Sequence, residues 1–231
     1  MARAAIPQRL PDSANFIPCG GVMPAADLYI QRMQWLPYLT LAECRAAGAE
    51  NCKDFLARLQ NRTLLLATAP GLSPQKRHAL RVALQGTDLV PPVEAVALPQ
   101  PTRPGLYDIN EPTPTSPVLV SGNSKITLTV LTAVLATTVS PFYLLLVDTI
   151  GDTLDMALIY QRFTPARIAA ALEAAALAAK VSHRTLIIPG LAAELQGPIA
   201  AATGWEVTVG PICALELPLF FGEYWQPPLG Y

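Results

Sequence analysis

The chain has 231 residues, 52% of them hydrophobic and only 14% charged, with a formal net charge of −1. That charged share is well below the ~25% of ordinary globular proteins, which excludes intrinsic disorder over most of the length. A near-neutral chain also lacks the basic surface that neutralises phosphates, so no nucleic-acid partner is expected.

In chain order, Met1–Pro11 carries two arginines but no apolar stretch behind them. No signal peptide is therefore expected, and the cytoplasm is the expected compartment. Residues 1–36 read as irregular, with a turn at Pro18-Cys19-Gly20-Gly21. Residues 40–60 read as helical, with Thr40 at the N-cap and Glu43 at the capping-box position. A second amphipathic helix runs from Ser73 to Gln85, started by Ser73-Pro74 and stopped by Gly86. His78 lies beside Lys76 and Arg77 and reads as solvent-exposed. These elements make residues 1–90 a small helical module, and the prolines crowding the region after it make residues 91–115 a linker.

From residue 116 the pattern becomes strand–helix alternation. Pro117–Ser121 and Phe142–Val147 read as strands, and residues 126–147 run without a charge, long enough to cross a bilayer. Five threonines, Ser140 and Pro141 argue instead for a buried element, a turn and a buried strand, so no membrane span is expected. Thr164-Pro165 starts an alanine-rich helix to about Lys180, and Thr185–Ile188 is a third strand. A helix to about Ala202, the strand Trp205–Val209 and an apolar helix Ile212–Phe221 complete the chain. The expected fold is α/β: a Rossmann-like parallel sheet flanked by helices over residues 116–231, preceded by the mostly helical module.

Ligands of such sheets sit at the carboxyl ends of the strands. Those ends are Ser121-Gly122-Asn123, Asp148-Thr149-Ile150-Gly151, Pro189-Gly190 and Gly210-Pro211. Turns through glycine and small polar residues suit close approach of backbone to a large ligand, and suit ordinary loops equally well. Nucleotide fingerprints of the GxGxxG and GxxxxGK[ST] kinds are absent, as are GxSxG and HExxH. Cys19, Cys44, Cys52 and Cys213 include no CxxC, which excludes a zinc ribbon and a thioredoxin-like site. His183 reads as a local hydrogen-bonding group before a strand. No catalytic or metal-ligating residue is therefore singled out.

Ser116–Asn123, Leu145–Thr149, Val181–Gly190 and Thr203–Pro211 resemble, in order and spacing, the corrinoid-binding domain of the corrinoid iron–sulfur protein. That is the large subunit partnered with carbon monoxide dehydrogenase/acetyl-CoA synthase. A fainter likeness, at Leu36–Pro70, is to its iron–sulfur module. Alanines Ala47 and Ala69 stand at two of the four ligand positions there, leaving Cys44 and Cys52, too few for a four-iron cluster. No iron–sulfur cluster is expected, and the 45 residues between Pro70 and Ser116 leave no room for the family's TIM barrel.

The resemblance implies a cobalamin or related corrinoid, held base-off without a histidine ligand, and a role as methyl carrier or methyltransferase component. The implied contacts are Ser121, Gly122, Asn123, Ser124, Thr149, Gly151, Thr153, Leu154, Leu158, Pro189, Gly190, Leu191, Ala192, Gly210 and Pro211. Gly151 and Gly190 would leave room for the ring, and Leu154 and Leu158 would form a dry lower face. Ile159-Tyr160-Gln161 stand where the family has small residues, which crowds that face. The alternative is a cofactor-free paralogue acting as an interaction or structural subunit. A methyltransferase or reductase partner would be needed in the first case. The C-terminal segment Leu215–Trp225 reads either as helix core and anchor or as a surface for self-association.

Overall fold

The computed structural model describes residues 26–92 and 98–229. The turn at Pro18–Gly21 and Cys19 lie outside the described residues. Local chemistry starts the N-terminal helices where the sequence marks them. Helix α1 (Leu41–Ala46) opens on a reciprocal capping box, in which Glu43 N donates to Thr40 Oγ1 at 3.2 Å and Thr40 N to Glu43 Oε2 at 2.7 Å. Gly48, at φ +81°, closes that helix before Asn51 caps α2 (Cys52–Gln60). Ser73 and Pro74 start α3 (Pro74–Leu84), which a single turn, α4 (Gly86–Leu89), follows.

The α/β part runs β1 (Gly105–Ile109), β2 (Val118–Gly122), α5 (Lys125–Leu135), β3 (Phe142–Val147), α6 (Leu154–Ile159), α7 (Pro165–Ala174), α8 (Leu177–Lys180), β4 (Thr185–Ile188), α9 (Gln196–Thr203), β5 (Glu206–Val209) and α10 (Leu217–Phe221). The five strands form one sheet in the order β1-β3-β2-β4-β5, with all pairs parallel except β1 against β3. This is the expected α/β architecture, flanked by helices and preceded by a helical region. The uncharged run divides into α5 and β3, and among the described residues no helix is long and apolar enough to cross a membrane.

Every residue of β3 is buried, and alternate residues serve opposite faces. Leu144 and Leu146 join a cluster with Phe55, Leu80, Val134 and Trp225, so the N-terminal helices, α5 and α10 cover one face together. Leu145 and Val147 join Ile168, Leu172, Ile199 and Trp205 on the other, under α7 and α9. Strands buried on both faces read as continuous apolar runs, which is why β3 was legible.

Two features differ from the sequence expectation. The linker contains β1, whose Leu106 pairs with Leu145 along the edge of β3. His78 is buried, because its face of α3 turns inward: Nε2 donates to the Thr137 carbonyl at 2.7 Å and Nδ1 accepts from Arg81 at 3.3 Å. At the C-terminus Trp225 belongs to the core, Phe220 and Phe221 are half-buried and Tyr224 is exposed. Trp225 is fully buried, its indole N–H donating to Thr137 Oγ1 at 3.2 Å, and Phe142 packs against Phe221 and Trp225 at 4.9 and 5.6 Å. Of the two readings of this segment, the buried Trp225 and its packing on Phe142 fit that of helix core and anchor.

Burial lowers the His78 pKa from its ordinary 6.5, the bond to Thr137 opposes that shift, and the nearby Arg81 guanidinium adds to it. The folded value lies below the unfolded one, so the unfolded chain binds the proton more readily. Stability is then complete above the unfolded pKa and falls as pH drops through the folded one. The urea midpoint of the protein should decline from about pH 7 to about pH 5 more steeply than that of His78→Gln.

Candidate functional site

The chain leaves β2 to one side for β3, then returns to the other side for β4 and β5, so the strand order reverses between β2 and β4. Crevices form at the carboxyl ends of strands flanking such a reversal. A cavity of about 300 Å³ lies there. Its floor is Leu119–Ser121 of β2 and Ile187–Pro189 of β4, α5 supplies Ile126, Thr127 and Val130, and Gly210–Ile212 closes one side. Thr153, Leu154 and Asp155 form the opposite rim, and the segment Ala26–Tyr29 makes the outer wall.

Of the expected contacts, Ser121, Thr153, Leu154, Pro189, Leu191, Gly210 and Pro211 are brought together around this cavity. Leu158 and Ala192 pack instead into the apolar cluster on the α7–α9 face. Tyr160 leaves the crevice open: it is 55% exposed and carries the Arg162 guanidinium over its ring at 5.3 Å.

The remaining strand-end residues are engaged with the chain itself. Asn123 Oδ1 accepts from Thr149 N at 2.8 Å, Thr149 Oγ1 at 3.1 Å and Gly151 N at 3.3 Å, while Nδ2 donates to Thr102 O at 2.8 Å. Thr102 N returns a bond to Asn123 O at 2.7 Å, and Gln100 N donates to Gly151 O at 3.2 Å. Ser124 caps α5, accepting from Thr127 N at 3.0 Å. The connector at Gln100–Thr102 therefore crosses the ends of β2 and β3.

Glycines expected to leave room for a ring have this local cause instead. Gly151 sits at φ +84°, and a Cβ there would come within 2.2 Å of Pro101 N. A Cβ on Gly190 would come within 2.8 Å of Gly210 O and Ile212 N. Gly122 is tight against Thr149, at 3.1 Å.

Sequence reasoning missed Tyr29 and Asp155, whose Oη–Oδ2 hydrogen bond of 3.0 Å closes the rim across 126 positions of chain. No local signal marks such a contact. Burial raises the Asp155 pKa, but bonds from Thr153, Tyr29 and the Met156 N–H outweigh it and hold the carboxyl below its ordinary range. Burial and the Asp155 carboxylate push the Tyr29 phenol up to about 12. The lining thus offers two carboxylates, Asp27 and Asp155, and hydroxyls on an otherwise apolar cup, with no histidine, cysteine, lysine or arginine. Among the described residues no group of three or more His, Cys, Asp or Glu side chains could hold a metal ion.

A corrin fits this site only as a platform. Pockets for drug-sized ligands span ~300–1,000 Å³, and a corrin is larger than such ligands, so a cavity of this size could take one flank of a macrocycle and not the whole. Small and apolar residues at the mouth (Leu154, Pro189, Leu191, Gly210) suit that flank, and no imidazole there competes for a metal at its centre.

The family model for the CO dehydrogenase/acetyl-CoA synthase delta subunit matches residues 96–220. Three curated relatives are each described as acetyl-CoA decarbonylase/synthase complex subunit gamma. The one from Methanopyrus kandleri is 38% identical over 122 residues, covering 53% of this chain and 26% of the relative. That from Archaeoglobus fulgidus is 34% identical over 129 residues, 56% and 27% of the two chains. That from Methanocaldococcus jannaschii is 27% identical over 199 residues, 82% and 40%. The chain thus spans between about a quarter and two-fifths of the length of these relatives.

The resemblance to the large corrinoid iron–sulfur subunit is corrected by the delta-subunit match, whose range takes in nearly all of the Ser116–Phe221 stretch that carried it. An α/β domain of this kind is too widely shared a scaffold to identify a subunit by itself.

Gly151→Ala should cost about 2–3 kcal/mol in chemical denaturation, because both the left-handed backbone and Pro101 oppose a methyl group. Gly197→Ala, where a Cβ meets nothing within 4 Å, should stay within about 0.5 kcal/mol of wild type.

Proposed function

Because the chain belongs to the CO dehydrogenase/acetyl-CoA synthase delta subunit family, we propose that it is a component of an acetyl-CoA-forming or -cleaving assembly and supports a corrinoid at the β2–β4 crevice. The observation that carries this reading is an apolar, histidine-free cavity at the reversal point of the sheet, open beside Leu154 and not plugged by Tyr160. A corrinoid, when bound, supplies a cobalt centre that accepts and releases a methyl group.

The chain's own part is binding and exclusion of water. Leu154 and Leu191 provide a dry wall, Ser121 and Thr153 offer hydroxyls to polar substituents, and backbone at Pro189 and Gly210-Pro211 allows close approach. Methyl donor, acceptor and reductant are proposed to come from partner proteins. The cytoplasm is the proposed location.

The test is direct. Purified protein mixed with hydroxocobalamin and desalted should retain visible absorbance with a base-off spectrum. Leu191→Glu, checked for native circular dichroism, should weaken retention by about tenfold or more, since a carboxylate would enter the apolar cup. Tyr160→Ala should leave retention unchanged. Loss of all absorbance on desalting, or a spectrum identical to free base-on cobalamin, would favour the cofactor-free structural subunit.

A further inference from the structure

The sulfurs of Cys44 and Cys52 stand 2.7 Å apart. That is far inside the contact distance of two unbonded sulfurs and within about 0.7 Å of the ~2.05 Å of a disulfide. The approach is set by the backbone. Ala47 N and Ala49 N donate to Glu43 O and Cys44 O at 3.1 and 3.0 Å, closing the end of α1 through the left-handed Gly48. Arg58 Nη1 grips Gly48 O at 2.6 Å, and Glu50 N donates to Asp54 Oδ2 at 3.0 Å, so α2 holds the loop from beneath. Asn51 then caps α2 and delivers Cys52 as its first residue.

We propose that Cys44 and Cys52 form a reversible intramolecular disulfide that staples α1 to α2. The two thiols have unequal access. Cys44 is fully buried, while Cys52 is partly exposed, with Leu39 O its other neighbour at 4.0 Å. Burial, together with the neighbouring Cys52, pushes the Cys44 thiol up to about 12, so it is inert toward reagents in solution. Entry is therefore through Cys52.

Its thiolate attacks one sulfur of a small disulfide such as oxidised glutathione, releases one glutathione thiolate and becomes a mixed disulfide. Cys44 then gives its proton to solvent and attacks the Cys52 sulfur, expelling the second glutathione. Two protein thiols are oxidised, and their two electrons reduce one small disulfide to two thiols. This exchange is independent of any corrinoid, so it stands or falls apart from the proposed function.

Trypsin separates the partners into Met33–Arg45 and Ala46–Lys53, which makes the bond visible by mass. Full-length protein equilibrated with oxidised glutathione, acid-quenched, alkylated and digested without reductant should yield these two peptides linked. The linked species should vanish with dithiothreitol, while the buried Cys213 is recovered alkylated. Oxidation should also raise the melting temperature by about 5–10 °C, a rise that Cys52→Ser abolishes. Recovery of the two peptides separately alkylated, or each carrying glutathione, would overturn the proposal. So would anaerobically purified protein with iron bound through these thiols.

Discussion

The Asn123 side chain joins three segments at the top of the sheet, adding to the backbone bonds that run between them. One amide receives the loop after β3, through Thr149 and Gly151, and reaches the connector at Thr102. All of this occurs at a buried position, where each donor left unpaired costs about 1–3 kcal/mol. Without the Asn123 side chain, the Thr149 and Gly151 N–H groups would lose their acceptor, and the connector would keep only its backbone bonds and the Thr102 hydroxyl bond to the end of β2. The cavity rim depends on it, because Thr153 and Leu154 follow directly from the loop that Asn123 fixes. Rigidity at the candidate site is thus supplied from beside it, which is how a site made of loops keeps a shape.

How much of this was legible follows from how local the cause is. Thr40, Ser73 and Thr164 announce helices because a cap acts within three residues, and β3 announces itself because a strand buried on both faces is apolar throughout. Alternation of strands and helices points to the carboxyl ends of the strands, while the order β1-β3-β2-β4-β5, whose reversal places the cavity, is set by tertiary pairing. By contrast, β1 is a short edge strand flanked by prolines, held by hydrogen bonds to β3 rather than by its own pattern. His78 and Trp225 were misread or left open because whether a face is inside depends on what packs on it, here Thr137 and Phe142.

The small residues at the strand ends carry a subtler lesson. Glycine and short polar side chains permit close approach, but their identity does not say what approaches. At Asn123 and Gly151 the occupant is the chain's own connector, and at Gly190 it is the Gly210–Ile212 loop. The same residue types around Ser121, Pro189 and Gly210 border open space. Small and turn-forming residues serve in both cases, and the path of the backbone separates them. Reading the strand ends as one ligand surface merged two different uses of one kind of sequence.

The shared apolar cluster has a consequence for synthesis on the ribosome. Leu80 and Ala79 of α3 are covered by residues that include Leu215, Leu219 and Trp225, and Glu216 accepts from the Tyr38 hydroxyl at 2.8 Å across 178 positions. At ~5–20 residues per second, roughly seven to thirty seconds separate the emergence of α3 from that of Trp225. Throughout that interval the apolar faces of α2 and α3 have been made but have nothing permanent to lie against. The nascent N-terminal helices are therefore natural clients for chaperones, and a ribosome stalled before Leu215 would leave a sticky, protease-sensitive fragment in place of a partly finished protein.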